Sequence, residues 1–272
     1  MNSMANILAQ IIENSHTAIK INNNDYIKDG ILYCGNCNTK KQSLINVQGM
    51  EFKPMCLCKC GIEKRNSLEI EQKNRDIVTA KLERLSLLNQ HNLLKGRLKD
   101  IYLDSFIKNK NNEKALNIAK DFINKFSNKS KGLLFSGDVG TGKSYISAII
   151  ANELVKRGKT AIMLNLNSLI SDTDNQNALL KQLALADLII FDDLGTERQT
   201  SYGFERAYDF INARYITEKP TIYTTNKSVD EMIKCENIDQ KRMYDRILGS
   251  TNIIRLKGDS LRVEQAKKAY IL

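Results

Sequence analysis

The stretch Gly137-Asp138-Val139-Gly140-Thr141-Gly142-Lys143-Ser144 constrains this chain more than any other. It completes the pattern G-x-x-x-x-G-K-[ST], whose chemistry dictates its surroundings. Glycines let the backbone curl so that several N–H groups face one phosphate. The helix that follows adds its positive N-terminal end. Lys143 can reach the β- and γ-phosphates of a nucleotide such as ATP, and the Ser144 hydroxyl can ligate Mg²⁺. Such a loop needs a buried strand before it and a helix after it. Gly132-Leu133-Leu134-Phe135-Ser136 supplies the strand. Tyr145 to Arg157, stopped by Gly158, supplies the helix, with Ile146, Ile149, Ile150 and Leu154 on one face. From average residue frequencies, a chance match in a chain this long has odds of roughly one in a hundred.

Further strands follow. Thr160-Ala161-Ile162-Met163-Leu164 is one. Leu188-Ile189-Ile190-Phe191 is a continuous apolar run, as expected of a central parallel strand buried on both faces. It runs into Asp192-Asp193-Leu194-Gly195, which places two carboxylates beside the phosphate loop. Asp192 is suited to holding Mg²⁺ through water, and Asp193 to orienting or deprotonating an attacking water. Thr221-Ile222-Tyr223-Thr224-Thr225-Asn226 is another strand, and its Asn226 amide can bond that water or the γ-phosphate. Asn252-Ile253-Ile254-Arg255-Leu256 is the last. Helices are expected over 115–126, after a polar break within 168–183, over 203–215 with an aromatic stripe, and over 239–248. The last carries Arg242 and Arg246 on one face, either of which could reach a neighbouring subunit's γ-phosphate. Arg262, after the last strand, is placed to sense phosphate within the same chain. The pattern predicts an α/β fold with a parallel sheet flanked by helices.

Five of the six cysteines fall between Cys34 and Cys60. Cys34-Gly35-Asn36-Cys37 is a knuckle in which two thiolates grip one ion from a tight turn. Residues 43–52, turning at Gln48-Gly49, are suited to a hairpin that returns a second pair. Three thiols compete for the two remaining places: Cys58 and Cys60 are favoured, with Cys56 as the spare. All-thiolate ligation favours Zn²⁺, with an iron–sulfur cluster as the lesser option. No water-activating His or Glu accompanies the thiols, so the metal is expected to be structural.

The 272 residues suffice for one large domain and a smaller module. The organisation expected is a zinc-binding module over 1–62, a helical linker over 63–96, and a nucleotide-binding domain over 97–272. The first segment carries a small apolar stripe of Ile7, Leu8, Ile11 and Ile12. A net charge of +10 and a pI near 9.2 suit a polyanionic partner, although an AT-rich genome also enriches Lys, Asn and Ile. The chain shows neither a secretory signal pattern nor an apolar run of the ~20 residues that span a bilayer. A cytoplasmic protein with no membrane partner is therefore expected.

Taken in order, GDVGTGKS, LIIFDDLG, IYTTN and KRMYDRI resemble the DnaC/DnaI helicase loaders, AAA+ ATPases related to the IstB transposition ATPases. The likeness covers about residues 97–272, and the zinc module is similar to that of loaders from Gram-positive bacteria and their phages. The resemblance implies ATP-dependent assembly as a ring or spiral, binding of single-stranded DNA, and delivery of a DnaB-family replicative helicase during replication initiation. It makes Gly137 to Ser144 Walker A, and Asp192 with Asp193 Walker B. Asn226 becomes sensor 1, Arg246 with Arg242 beside it the arginine finger, and Arg262 sensor 2. Asp193 stands where AAA+ enzymes commonly have Glu, and its shorter reach suits a slow switch more than a motor. Two alternatives share these motifs: an IstB-like regulator of transposition, and an adaptor that binds ATP without hydrolysing it.

Overall fold

The computed structural model describes residues 21–47, 49–105, 113–196, 200–258 and 260. The apolar stripe of residues 7–12, His16, Gln48 and Arg262 lie outside them. The chain divides into two compact units, Met1–Gln72 and Lys73–Leu272.

In the first unit, β1 (Tyr26–Lys28) pairs antiparallel with β2 (Ile31–Tyr33), and β3 (Ile45–Val47) with β4 (Met50–Phe52). The second hairpin is the one expected within 43–52. The first adds strands where the sequence pattern suggests only turns around residues 22–25 and Gly30, and the helix suggested for the start of residues 1–30 lies outside the described residues. Asp29 and Gly30 both have positive φ, 54° and 71°, which is the two-residue turn that matches the twist of paired strands. Three-residue strands carry no readable period, so only the Asp-Gly turn betrays them. Helix α1 (Lys59–Arg84) starts beside the second cysteine pair.

The second unit continues with α2 (Ser86–Gln90), two 3₁₀ turns and α3 (Glu113–Asn124). There follow β5 (Gly132–Gly137), α4 (Lys143–Lys156), β6 (Ala161–Asn165), α5 (Leu166–Ser171), α6 (Gln176–Leu183) and β7 (Leu188–Leu194). Last come α7 (Ser201–Tyr215), β8 (Thr221–Thr225), α8 (Val229–Ile233), α9 (Ile238–Ser250) and β9 (Thr251–Leu256). The five strands form one parallel sheet in the order β6-β7-β8-β5-β9. Alternate residues of each strand enter opposite cores. Leu134, Ile162, Leu164, Ile189, Phe191 and Tyr223 face one, against α5, α6, α7 and α9. Leu133, Phe135, Met163, Leu188, Ile190 and Ile222 face the other, against α3 and α4.

Leu85 and Leu88, in the stretch expected to be a helical linker, are buried in the first of these cores and Leu94 in the second. The Leu88 N–H donates to Gln182 Oε1 at 3.1 Å. His91 bridges Ser168 Oγ at 2.5 Å and Asp172 Oδ2 at 3.1 Å, which ties this stretch to α5. Among the described residues, no helix is long and apolar enough to cross a membrane.

Candidate nucleotide site and cysteine cluster

The phosphate loop leaves β5 at Gly137 and enters α4 at Lys143. A Cβ on Gly137 would lie 1.8 Å from the Leu256 carbonyl oxygen, so β9 backs directly onto the loop and admits only glycine there. Lys143 is almost fully buried, and its Nζ donates to the carbonyls of Gly137 at 2.8 Å and Asp138 at 2.6 Å. Thr141 Oγ1 donates to the Asp138 carbonyl at 2.8 Å and braces the turn.

Ser144 Oγ donates to Asp192 Oδ1 at 2.7 Å, which joins the start of α4 to the end of β7. Asn226 Nδ2 donates to Asp193 Oδ1 at 3.2 Å. Lys143, Ser144, Asp192, Asp193 and Asn226 thus gather at the C-terminal ends of adjacent parallel strands, where open α/β sheets take ligands. The Ser144 hydroxyl and Asp192 carboxylate are hard oxygen donors, the set that suits Mg²⁺.

Thr224 belongs to this network, and pattern reading passes over it. Its hydroxyl donates to Asp192 Oδ1 at 2.6 Å and accepts the Asp193 N–H at 2.8 Å. The available signal was the two adjacent acids: a regular strand turns neighbours to opposite faces, so something on the next strand must re-aim one of them.

Arg246 is placed elsewhere, on α9 against α7. Its guanidinium lies 4.5 Å from the Tyr208 ring and 5.3 Å from the Tyr215 ring, and it donates to Asn212 Oδ1. Tyr208 and Tyr215 of the α7 aromatic stripe therefore hold an arginine, while Ala207 and Ile211 of the same face lie in the core. Arg242, one turn earlier, is exposed.

The second site is in the first unit. The Sγ atoms of Cys34, Cys37, Cys58 and Cys60 all lie within 4.8 Å of one another. Cys56 points away, with its Sγ 3.7 Å from the Lys40 carbonyl oxygen. The four thiols are electrostatically unequal. The Thr39 hydroxyl, then the Cys60 backbone N–H, hold the Cys37 thiol down to about 5. The N–H groups of Cys37 and Asn36 lower Cys34. Burial raises Cys58. Cys58, then Cys37 and Cys34, push Cys60 up to about 12. Four sulfurs this close resist ionising together unless a cation neutralises them, and the donor set fits tetrahedral Zn²⁺. Behind the knuckle, Asp25 accepts from the Gly35 N–H at 3.2 Å and from Lys41 Nζ at 2.6 Å in a pair screened from solvent.

The sequence model described as IstB-like ATP binding protein matches residues 79–269. This chain belongs to that family. Within it, the chain is similar to the replicative helicase loader DnaC of Escherichia coli (strain K12), with 29% identity over 165 residues. That match covers 57% of this chain and 66% of DnaC. It is also similar to the replicative helicase loader DnaI of Bacillus subtilis (strain 168), with 25% identity over 160 residues. Here 52% of this chain and 51% of DnaI are covered, so the likeness spans less than two thirds of either relative. A crystal structure of the DnaC helicase loader shares the fold, with a TM-score of 0.54 and 24% identity, covering 60% of this chain and 99% of that one. What the two share is the fold, which in this chain is a five-stranded parallel sheet with helices on both faces.

Proposed function

We propose that this chain is an ATP-dependent loader that binds a replicative hexameric helicase and single-stranded DNA and delivers the one to the other. The observation that carries the reading is the 2.7 Å contact between Ser144 and Asp192. It unites the two halves of a triphosphate site in a chain whose relatives include named helicase loaders.

In this reading the loop N–H groups and Lys143 take the β- and γ-phosphates. Ser144 would hold Mg²⁺ directly and Asp192 through water, and the ion would supply positive charge beside the phosphates. Asp193 accepts a proton from the attacking water, and Asn226 keeps that carboxylate aimed. Arg246 acts on the nucleotide of a neighbouring subunit in a ring or spiral, with Arg242 the other candidate on the same helix. Arg262 senses phosphate within the chain. The module over 1–62 carries Zn²⁺ on Cys34, Cys37, Cys58 and Cys60 and contacts the helicase. Residues 63–96 connect it to the ATPase domain over 97–272, and the protein works in the cytoplasm.

Co-purification with the replicative helicase, with and without ATP, tests the role. Helicase capture by wild type but not by Lys143→Ala supports it, whereas capture of a transposase and duplex DNA supports the transposition role that the family description suggests. Lys143→Ala is expected to lose ATP binding in an equilibrium titration. Unchanged affinity would falsify the nucleotide assignment.

A further inference from the structure

The two acids of β7 meet β8 irregularly. Phe191 pairs with Tyr223 and Leu194 with Thr225, so Asp192 and Asp193 together stand against Thr224. This is a bulge, the device by which a strand re-aims side chains beside a site. Asp193 takes the extra turn, with φ 58°, a left-handed conformation that aspartate tolerates better than most residues. At the bulge the Asp193 N–H donates to the Thr224 hydroxyl at 2.8 Å. The same hydroxyl spends its single proton on Asp192 Oδ1, the oxygen that Ser144 also bonds. Thr224 is 1% exposed, so water does not replace the hydroxyl when it is removed.

We infer that Thr224 is a positioning residue for the Mg²⁺–nucleotide site: one hydroxyl fixes the Asp192 carboxylate and the backbone turn that presents Asp193. The inference rests on the ATP reading above. Thr225 provides the contrast, because its hydroxyl donates to the Leu194 carbonyl at 2.8 Å and touches neither acid's carboxylate.

The experiment is an equilibrium titration of a fluorescent ATP analogue against Mg²⁺, with ATP turnover measured alongside. Thr224→Val keeps the side chain's shape and removes its hydroxyl. The Mg²⁺ midpoint should rise, and turnover fall, by roughly ten- to a hundredfold, as for other losses of a partner behind a metal ligand. Affinity for the nucleotide in EDTA should stay within about twofold, and Thr224→Ser should restore the Mg²⁺ midpoint to within about threefold. Thr225→Val should lower the melting temperature and leave that midpoint in place. Thr224→Ala gives the same readings should the valine variant not fold. A Thr224→Val midpoint equal to wild type, or an equal shift in Thr225→Val, overturns the inference. Wild type that binds no nucleotide in either buffer overturns the ATP reading itself, an outcome that the first titration separates from the rest.

Discussion

Arg214 is fully buried, and all five of its N–H donors bond oxygen atoms of neighbouring segments. Nε reaches Thr221 Oγ1, Nη1 the carbonyls of Leu183 and Ala186, and Nη2 those of Asp187 and Pro220. Burial lowers its pKa to about 10, still high enough to keep the charge at neutral pH. One side chain therefore ties the end of α6, the start of β7 and the turn into β8. Arg214→Met should remove this tie and strand several carbonyls, at a cost of about 3–5 kcal/mol. In calorimetry the second unit should then melt roughly 10 °C lower, with nucleotide affinity retained below the transition. Hydrophobic period analysis cannot find such a residue, because it assigns every charge on a helix to the solvent face. The cysteines were more legible, since the ligand types stand in the sequence and geometry only had to choose among them. Cys56→Ser should keep the full metal content measured by elemental analysis, and Cys58→Ser should lose it. Loss in both would return Cys56 to the ligand set.

At the scale of elements, the strands that carry the site were readable because parallel strands buried on both faces are written as continuous apolar runs. All five appear in the sheet, and the phosphate loop lies between β5 and α4 as its flanks require. What the sequence does not write is where one strand slips against the next. The bulge at Asp192 and Asp193 depends on the register of β7 with β8, a relation between distant segments. The packing of α9 on α7 is equally non-local. The KRMYDRI pattern marks Arg246 as a candidate finger, but only the fold shows it braced by Tyr208, Tyr215 and Asn212. Such bracing lowers the entropy lost when a guanidinium docks on phosphate. Arg246→Ala should cut turnover of the assembled protein by orders of magnitude and leave ATP affinity of the isolated subunit unchanged. Tyr208→Leu should cut turnover less, since it removes the brace and keeps the charge. Equal turnover in wild type and Arg246→Ala would move the finger assignment to Arg242.

The two units of the molecule are stabilised by different means. The second fills cores on both faces of its sheet with large apolar side chains. Among the described residues of the first, the buried apolar side chains are Leu32, Cys34, Met55 and Cys58, and two of those four are candidate ligands. Two hairpins of three-residue strands around so small a core fall below what burial alone can hold folded. With Zn²⁺ on the four cysteines as proposed, the free energy of metal binding would be folding free energy for that unit and not for the other. A chelator strong enough to strip the protein should therefore make the segment around Tyr26–Phe52 sensitive to protease. The melting transition of the second unit and its affinity for ATP should hold. Limited proteolysis followed by mass mapping, with a parallel nucleotide titration, reads both at once. Protease resistance that survives complete metal removal would mean that the hairpins stand on their own contacts. Loss of ATP binding in the stripped protein would mean that the two units do not fold independently.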